Sequence, residues 1–318
     1  MNTHYAIIVG SGFDAFTPSG EPQHVSTRFG APSAPVTPVD FGGSTALVLP
    51  RHGDDHDLPP HLVNYRANLT ALQELGASAV IALNTVGVIS AVREPGQVAV
   101  PDQVIDYTWG REHTIYDAPQ PGFAHIEFTE PFSGGLRTDI LEAAQRAGVD
   151  CFDGGVYAAT QGPRLESAAE IDRLERDGAD YVGMTGMPEA SLAMELGLEY
   201  ACLSLVVNKA AGRGEKPIHD DVESSTLSAR SQAVSVPIPS PAGEVLPSFS
   251  TFTGSSCQIS SIVMVTSSPS GSVTPTTLTG TNLWFTGQRT SGSGSAVVQT
   301  GGPLRSRPTT TGSWSEAR

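Results

Sequence analysis

The sequence predicts an α/β fold built on a parallel or mixed sheet. Three observations carry that expectation. Short apolar runs alternate with helical stripes from the N-terminus to about Val236, Gly and Pro punctuate the joins, and polar residues gather where the apolar runs end.

Taken in order, "YAIIVG" (5–10) and "STALVLP" (44–50) read as strands. "PPHLVNYRANLTALQELG" (59–76) has helical spacing, with Leu62, Tyr65, Leu69 and Leu72 on one stripe and a Gly stop. "ASAVIALN" (77–84) is a buried strand that ends on Asn84, and "GQVAVPDQVIDY" (96–107) is a further one. "GGLRTDILEAAQRAGV" (134–149) is a helix leading into the strand "DGGVYAAT" (153–160). "ESAAEIDRLERDGA" (166–179) is a helix before "DYVGM" (180–184), and "PEASLAMELG" (188–197) is a helix opened by Pro188. "YACLSLVVNKAAG" (200–212) begins as a core strand and reaches Asn208 where the apolar run ends.

Composition narrows the function. The 318-residue chain carries 33 acids and 18 bases, a formal net charge of −15, which disfavours nucleic acid and anionic membranes as partners. An anionic ligand therefore needs a focused site. Cys151, Cys202 and Cys257 form no CxxC pair, so free thiols in a reducing cytoplasm are expected. "MNTHYAIIVGSG" lacks a basic n-region and a long apolar stretch, so neither a signal peptide nor a membrane span is expected.

The pattern stops near Val236. Residues 237–318 hold 31 Ser or Thr, 8 Pro and 10 Gly, with only Glu244 and Glu316 as acids. Such composition predicts a disordered tail. A genuine Ser/Thr-rich extension and translation in a shifted reading frame both fit. The abrupt break of the helix that "IHDDVESSTLSARSQAVSV" begins favours the frameshift. The expected domains are thus 1–236 and a 237–318 tail.

Five stretches carry chemistry. "IIVGSGFD" runs a strand into Gly10-Ser11-Gly12, a turn that offers N–H groups and a hydroxyl to an anion, without a GxGxxG or P-loop pattern. "PRHGDDHDLPPH" places Arg51 and His52 just after a strand; Arg suits bidentate oxyanion contact. His52, His56 and His61 lie in a Pro-broken segment with no helix to align their rings, which argues against a metal. "ALNTVGVI" puts Asn84-Thr85 at a strand's carboxyl end, where open α/β sheets bind ligands. "TQGPRLES" offers Gln161, Arg164, Leu165 and Glu166, and "VGMTGMPEA" sets Met184 and Thr185 before a helix N-terminus.

Together, "RHG…H…PPHLVNYRANLTAL", "DQVIDYTWGREHTIYD", "GVYAATQGPRLESAAEI" and "MTGMPEASLAMELGL" closely resemble the methylthioadenosine/purine nucleoside phosphorylase family, nearest its bacterial S-methyl-5′-thioinosine phosphorylases. The likeness runs from about Tyr5 to Val236. It implies a three-layer fold with a central mixed, partly barrel-like sheet, and a homotrimer with interfacial sites. It also implies phosphorolysis of a purine nucleoside, with inorganic phosphate as co-substrate and no metal or organic cofactor. By resemblance the phosphate cradle is Ser11, Arg51, His52, Asn84, Thr85 and Thr185. Met184 lies under the ribose, Leu165 packs on the purine where relatives commonly have Phe, and His125 reaches the neighbouring subunit's site near the nucleoside 5′ end. Ser11 stands where relatives often have Thr, Val9 replaces a Gly, and Asn84 replaces the Thr of adenosine-specific relatives.

Asn208 and Ala210 stand where adenosine-type relatives carry base-reading Asp residues. An amide can accept a hydrogen bond from the purine N7–H formed as the bond breaks, and can donate to O6 of a 6-oxopurine; a carboxylate has no proton for O6. The resemblance therefore implies S-methyl-5′-thioinosine as substrate, giving hypoxanthine and 5-methylthioribose 1-phosphate. His219 or Asp220 would instead suit a 5′-hydroxyl, making inosine or guanosine the alternative. A catalytically silent homologue is the reading of another class, should loss of the last helix open the site.

Overall fold

The computed structural model describes residues 4–11, 19–40, 45–119, 122–215 and 218, with the backbone of two strands near 250 and 260. A ten-stranded mixed sheet organises them. Tyr5–Val9 (β1), Thr45–Pro50 (β3), Ala79–Val88 (β4) and Glu199–Lys209 (β10) form its parallel centre, in the order β3-β1-β4-β10. Thr37–Asp40 (β2) closes one edge antiparallel to β3. On the other side Val98–Val100 (β5) pairs antiparallel to β10, and Cys151–Asp153 (β7) parallel to β5.

The sheet then curls. The far end of β4 pairs antiparallel with Tyr181–Gly183 (β9), which pairs with Val156–Ala159 (β8), which pairs with Gln103–Asp106 (β6). Because β6 directly follows β5, and β5 lies on β10, the pairings nearly close a ring through β10, β4, β9, β8 and β6. This is the partly barrel-like sheet the resemblance implied.

Both faces of β4 and β10 are covered, so these strands read as near-continuous apolar runs. Val80, Ala82, Val86, Cys202 and Val206 share a core cluster with Leu69 and Leu72 of Tyr65–Glu74 (α1) and Leu192 of Gly186–Glu195 (α4). Ile81, Leu83, Ala201 and Leu203 join Leu136 and Ile140 of Gly134–Ala147 (α2) in another. Ile171 and Leu174 of Ala168–Arg176 (α3) pack with Val182 and Ala210. Local chemistry sets the helix ends. Ser133 caps α2 and Gly148 ends it in the left-handed region, and Ser167 with Glu170 forms a capping box on α3.

Some expected elements are corrected. α1 starts at Tyr65, with Asn64 accepting from the Ala67 N–H as its cap, because Pro59 and Pro60 hold the preceding turn open. Leu62 therefore leaves the stripe and is 62% exposed. "GQVAVPDQVIDY" is two short strands broken at Pro101-Asp102. Beyond residue 218, Ser248–Phe252 (β11) and Ile259–Val263 (β12) pair antiparallel as a separate sheet. The rest of the expected tail, the interrupted helix apart from Ile218, Cys257, His219 and Asp220 lie outside the described residues. Among the described residues, no helix is long and apolar enough to cross a membrane.

Candidate active site

The parallel strands deliver their carboxyl ends to one cavity of about 680 Å³. β1 runs out into Gly10 and Ser11, and the Arg51 N–H continues the β1–β3 ladder to the Val9 carbonyl at 2.9 Å. Gly10 is required here, since a Cβ would sit 2.8 Å from both Arg51 Nη1 and the Leu83 carbonyl oxygen.

Ser11, Arg51, His52, Asn84, Thr85 and Thr185, the six residues of the expected phosphate cradle, all line this cavity. So do Met184, Leu165, Asn208 and Ala210. His125 does not. It lines a separate cavity with Thr114, Tyr116, Phe123 and Glu195.

Two positions differ from a simple strand end. Asn84 and Thr85 sit within β4, which continues to Val88. The β1 register stops at the Ile8–Ala82 pair, so β4 emerges past its neighbour just before these polar side chains begin. Likewise Asn208 is inside β10. A bulge between Val206 and Asn208 leaves Val207 without a cross-strand partner and re-aims the last residues of the strand. Asn208 then lies opposite Gly87, where an added Cβ would approach Asn208 Nδ2 to 3.0 Å.

Arg51 is fully buried. Its Nε and Nη2 donate to the two carboxylate oxygens of Glu189 at 2.8 and 2.9 Å, and Nη1 donates to the Leu83 carbonyl at 3.0 Å. Burial works against the charge, but the Glu189 carboxylate outweighs it and holds the guanidinium above its ordinary value. Glu189 lies in the first turn of α4 and also accepts from the Tyr200 hydroxyl at 2.8 Å. Sequence reasoning missed Glu189 and Tyr200. The available signal was that a buried Arg needs a carboxylate partner.

Asn84 accepts from Ser204 Oγ at 2.6 Å, while its Nδ2 is buried with no hydrogen-bond partner. The Asn84 side chain also interacts with the thiol of Cys202, which is buried in the core. Thr185 is the N-cap of α4 yet makes no side-chain capping bond, so its hydroxyl is uncommitted to the helix. Arg111 anchors the surrounding loops by donating to the carbonyls of Met184, Met187 and Gln161 at 2.8, 2.6 and 2.8 Å.

His52 donates Nδ1–H to the Leu58 carbonyl at 2.8 Å. Burial first, then the Arg51 charge, push it down to about 4 from 6.5. The unfolded chain thus binds a proton between these pH values that the folded chain refuses. The contribution of His52 to stability is full above about pH 6.5 and falls by up to about 3 kcal/mol as pH drops toward 4. Urea unfolding at pH 4.5 and 7 should show this slope, and His52→Gln should flatten it.

His56 approaches Ser11 Oγ with Nε2 at 3.0 Å, and its ring centroid lies 4.9 Å from that of His52. His61 is exposed. Among the described residues no three His, Cys, Asp or Glu side chains are grouped to hold a metal.

Known proteins resemble this chain in sequence and fold. The phosphorylase superfamily matches residues 4–236. A probable S-methyl-5′-thioinosine phosphorylase of Xanthomonas campestris pv. campestris is 50% identical over 212 residues, 66% of this chain and 85% of that protein. A 6-oxopurine nucleoside phosphorylase of Pyrococcus furiosus is 40% identical over 224 residues, 68% of this chain and 84% of that one. The structure of methylthioadenosine phosphorylase from Schistosoma mansoni with adenine superposes with a TM-score of 0.66 at 33% identity, covering 71% and 87% of the two chains. Fold and site define a pentosyltransferase of the purine and methylthioadenosine nucleoside phosphorylase kind. The chain belongs to the phosphorylase superfamily.

Proposed function

We propose that the chain cleaves S-methyl-5′-thioinosine with inorganic phosphate, releasing hypoxanthine and 5-methylthioribose 1-phosphate for purine salvage. The observation that carries the base preference is the amide of Asn208 within the cavity. Its Nδ2 donates to the Lys209 carbonyl at 2.7 Å, which fixes the amide's orientation. Oδ1 is then left to accept from N7–H, and the second N–H to reach O6. Glu166 supports the same choice: it accepts from Thr160 Oγ1 at 2.6 Å and lines the cavity, so a carboxylate oxygen can accept from the N1–H that a 6-oxopurine carries and adenine lacks.

In this reading Arg51, His52, Ser11, Asn84, Thr85 and Thr185 hold phosphate against the anomeric carbon, while Met184 and Leu165 pack on ribose and base. Fixed donors stabilise the developing charge without reorganising. Phosphate is a co-substrate and no further cofactor takes part. The domain responsible is 1–236, matching the extent of the superfamily likeness, with 237–318 an added tail in a cytoplasmic enzyme.

The active form is a homotrimer in which His125 serves a neighbour's site. Trp109 and Phe123 support this, being 71% and 58% exposed, with Phe123 stacked edge-on against His125.

A panel of methylthioinosine, inosine, guanosine and methylthioadenosine, with and without phosphate, tests the proposal. Phosphate-dependent hypoxanthine release, with the highest kcat/KM on methylthioinosine, is expected. Preference for methylthioadenosine would reject it.

A further inference from the structure

We propose that Glu189, backed by Tyr200, is a positioning residue that sets Arg51 for phosphate. This rests on the phosphorolytic reading above. A carboxylate beside a site for a phosphate dianion is an electrostatic cost, because it offsets the attraction Arg51 offers. Its retention at full burial needs a geometric reason.

The hydrogen bonds supply one. Of the five N–H donors of Arg51, two go to Glu189 and one to the Leu83 carbonyl. One N–H remains on each terminal nitrogen, and the fork cannot rotate without breaking the other three bonds. Glu189 is itself held. Tyr200 donates to its Oε2, and burial keeps that phenol well above its ordinary value, so it stays protonated.

The network also ties three parts of the site together. Glu189 belongs to the same helix start as Thr185, and Tyr200 belongs to β10, which carries Asn208. Arg51 comes from the end of β3. The Arg51–Glu189 bonds themselves join residues 138 apart in sequence, on the Arg51 side of the cavity.

The test separates this role from its rivals. Glu189→Gln keeps the side chain's shape but turns an N–H toward one Arg51 N–H. KM for phosphate should rise about tenfold or more, with KM for the nucleoside within about twofold. Tyr200→Phe should move phosphate KM in the same direction by about threefold. If Glu189 only balanced charge, Glu189→Gln would lower phosphate KM. If it only held the fold, both KM values would stay unchanged in the folded protein. Either result overturns the inference. Should Glu189→Gln not fold, an unchanged phosphate KM in Tyr200→Phe overturns it alone. Failure of the unaltered chain to cleave any nucleoside with phosphate marks instead the failure of the phosphorolytic reading, and the inference falls with it.

Discussion

Arg51→Met is expected to lower kcat/KM for phosphorolysis by about 10²–10⁴ and to destabilise the fold by about 3–5 kcal/mol at neutral pH. The two effects have different origins. In the proposed cradle Arg51 offers phosphate two charge-assisted hydrogen bonds; at about 1.5–3 kcal/mol each, their removal amounts to a loss on the order of 10²–10⁴ in kcat/KM. Stability falls because Glu189 is left fully buried with only the Tyr200 hydroxyl as a partner. An orphaned carboxylate can recover by taking up a proton, so the deficit should shrink as pH is lowered. Loss of the Arg51 charge also relieves part of the depression of His52, so the pH comparison is made between His52→Gln and Arg51→Met/His52→Gln. Arg51→Met combined with Glu189→Leu removes both charges from the interior and should restore most of the lost stability without restoring activity. Urea unfolding and phosphate-dependent turnover read the two quantities separately. A stable single variant whose kcat/KM falls by less than about tenfold would exclude Arg51 from the phosphate cradle.

Much of this site was legible in the sequence because its parts end strands. Gly10-Ser11, Arg51-His52 and Met184-Thr185 each follow an apolar run directly, and parallel topology brings such ends together. The features that escaped depended on long-range pairing. Asn84 read as a terminus because the apolar run stops there; the strand continues because β10 and β9 supply ladder partners that no local pattern reveals. The bulge at Val207 has no composition cue. Glu189 is a first-turn acid of a kind common near helix N-termini, and only the approach of Arg51 across the fold makes it part of the site. Leu62 fitted the helical stripe by spacing, yet two prolines upstream and the Asn64 cap decided where the helix begins. Periodicity identified the elements, while partners decided their ends.

Asn208→Asp should shift the ratio of kcat/KM for methylthioinosine over methylthioadenosine by about 10- to 100-fold toward adenine, from the roughly 1–3 kcal/mol cost of an unpaired polar group. Asp can still accept from the N7–H of the leaving base. When ionised it cannot donate to O6, whereas it can accept from the 6-amino group of adenine. The structure adds a further consequence. The Lys209 carbonyl, which accepts from Asn208 Nδ2 at 2.7 Å, would face a carboxylate oxygen instead. Two acceptors at that separation repel, so the variant should lose absolute activity on every nucleoside and gain nothing in stability. The ratio, rather than either rate, is therefore the informative quantity. Repulsion from the Lys209 carbonyl favours the protonated acid, which can donate to O6 as the amide does. The shift toward adenine should consequently grow as pH rises and the acid ionises. Alanine at position 208 serves as the control, because it removes donor and acceptor together and should depress both substrates without reversing their order. A ratio that stays within about threefold of the unaltered enzyme across pH 6–9 would show that the amide does not read the six-position of the base.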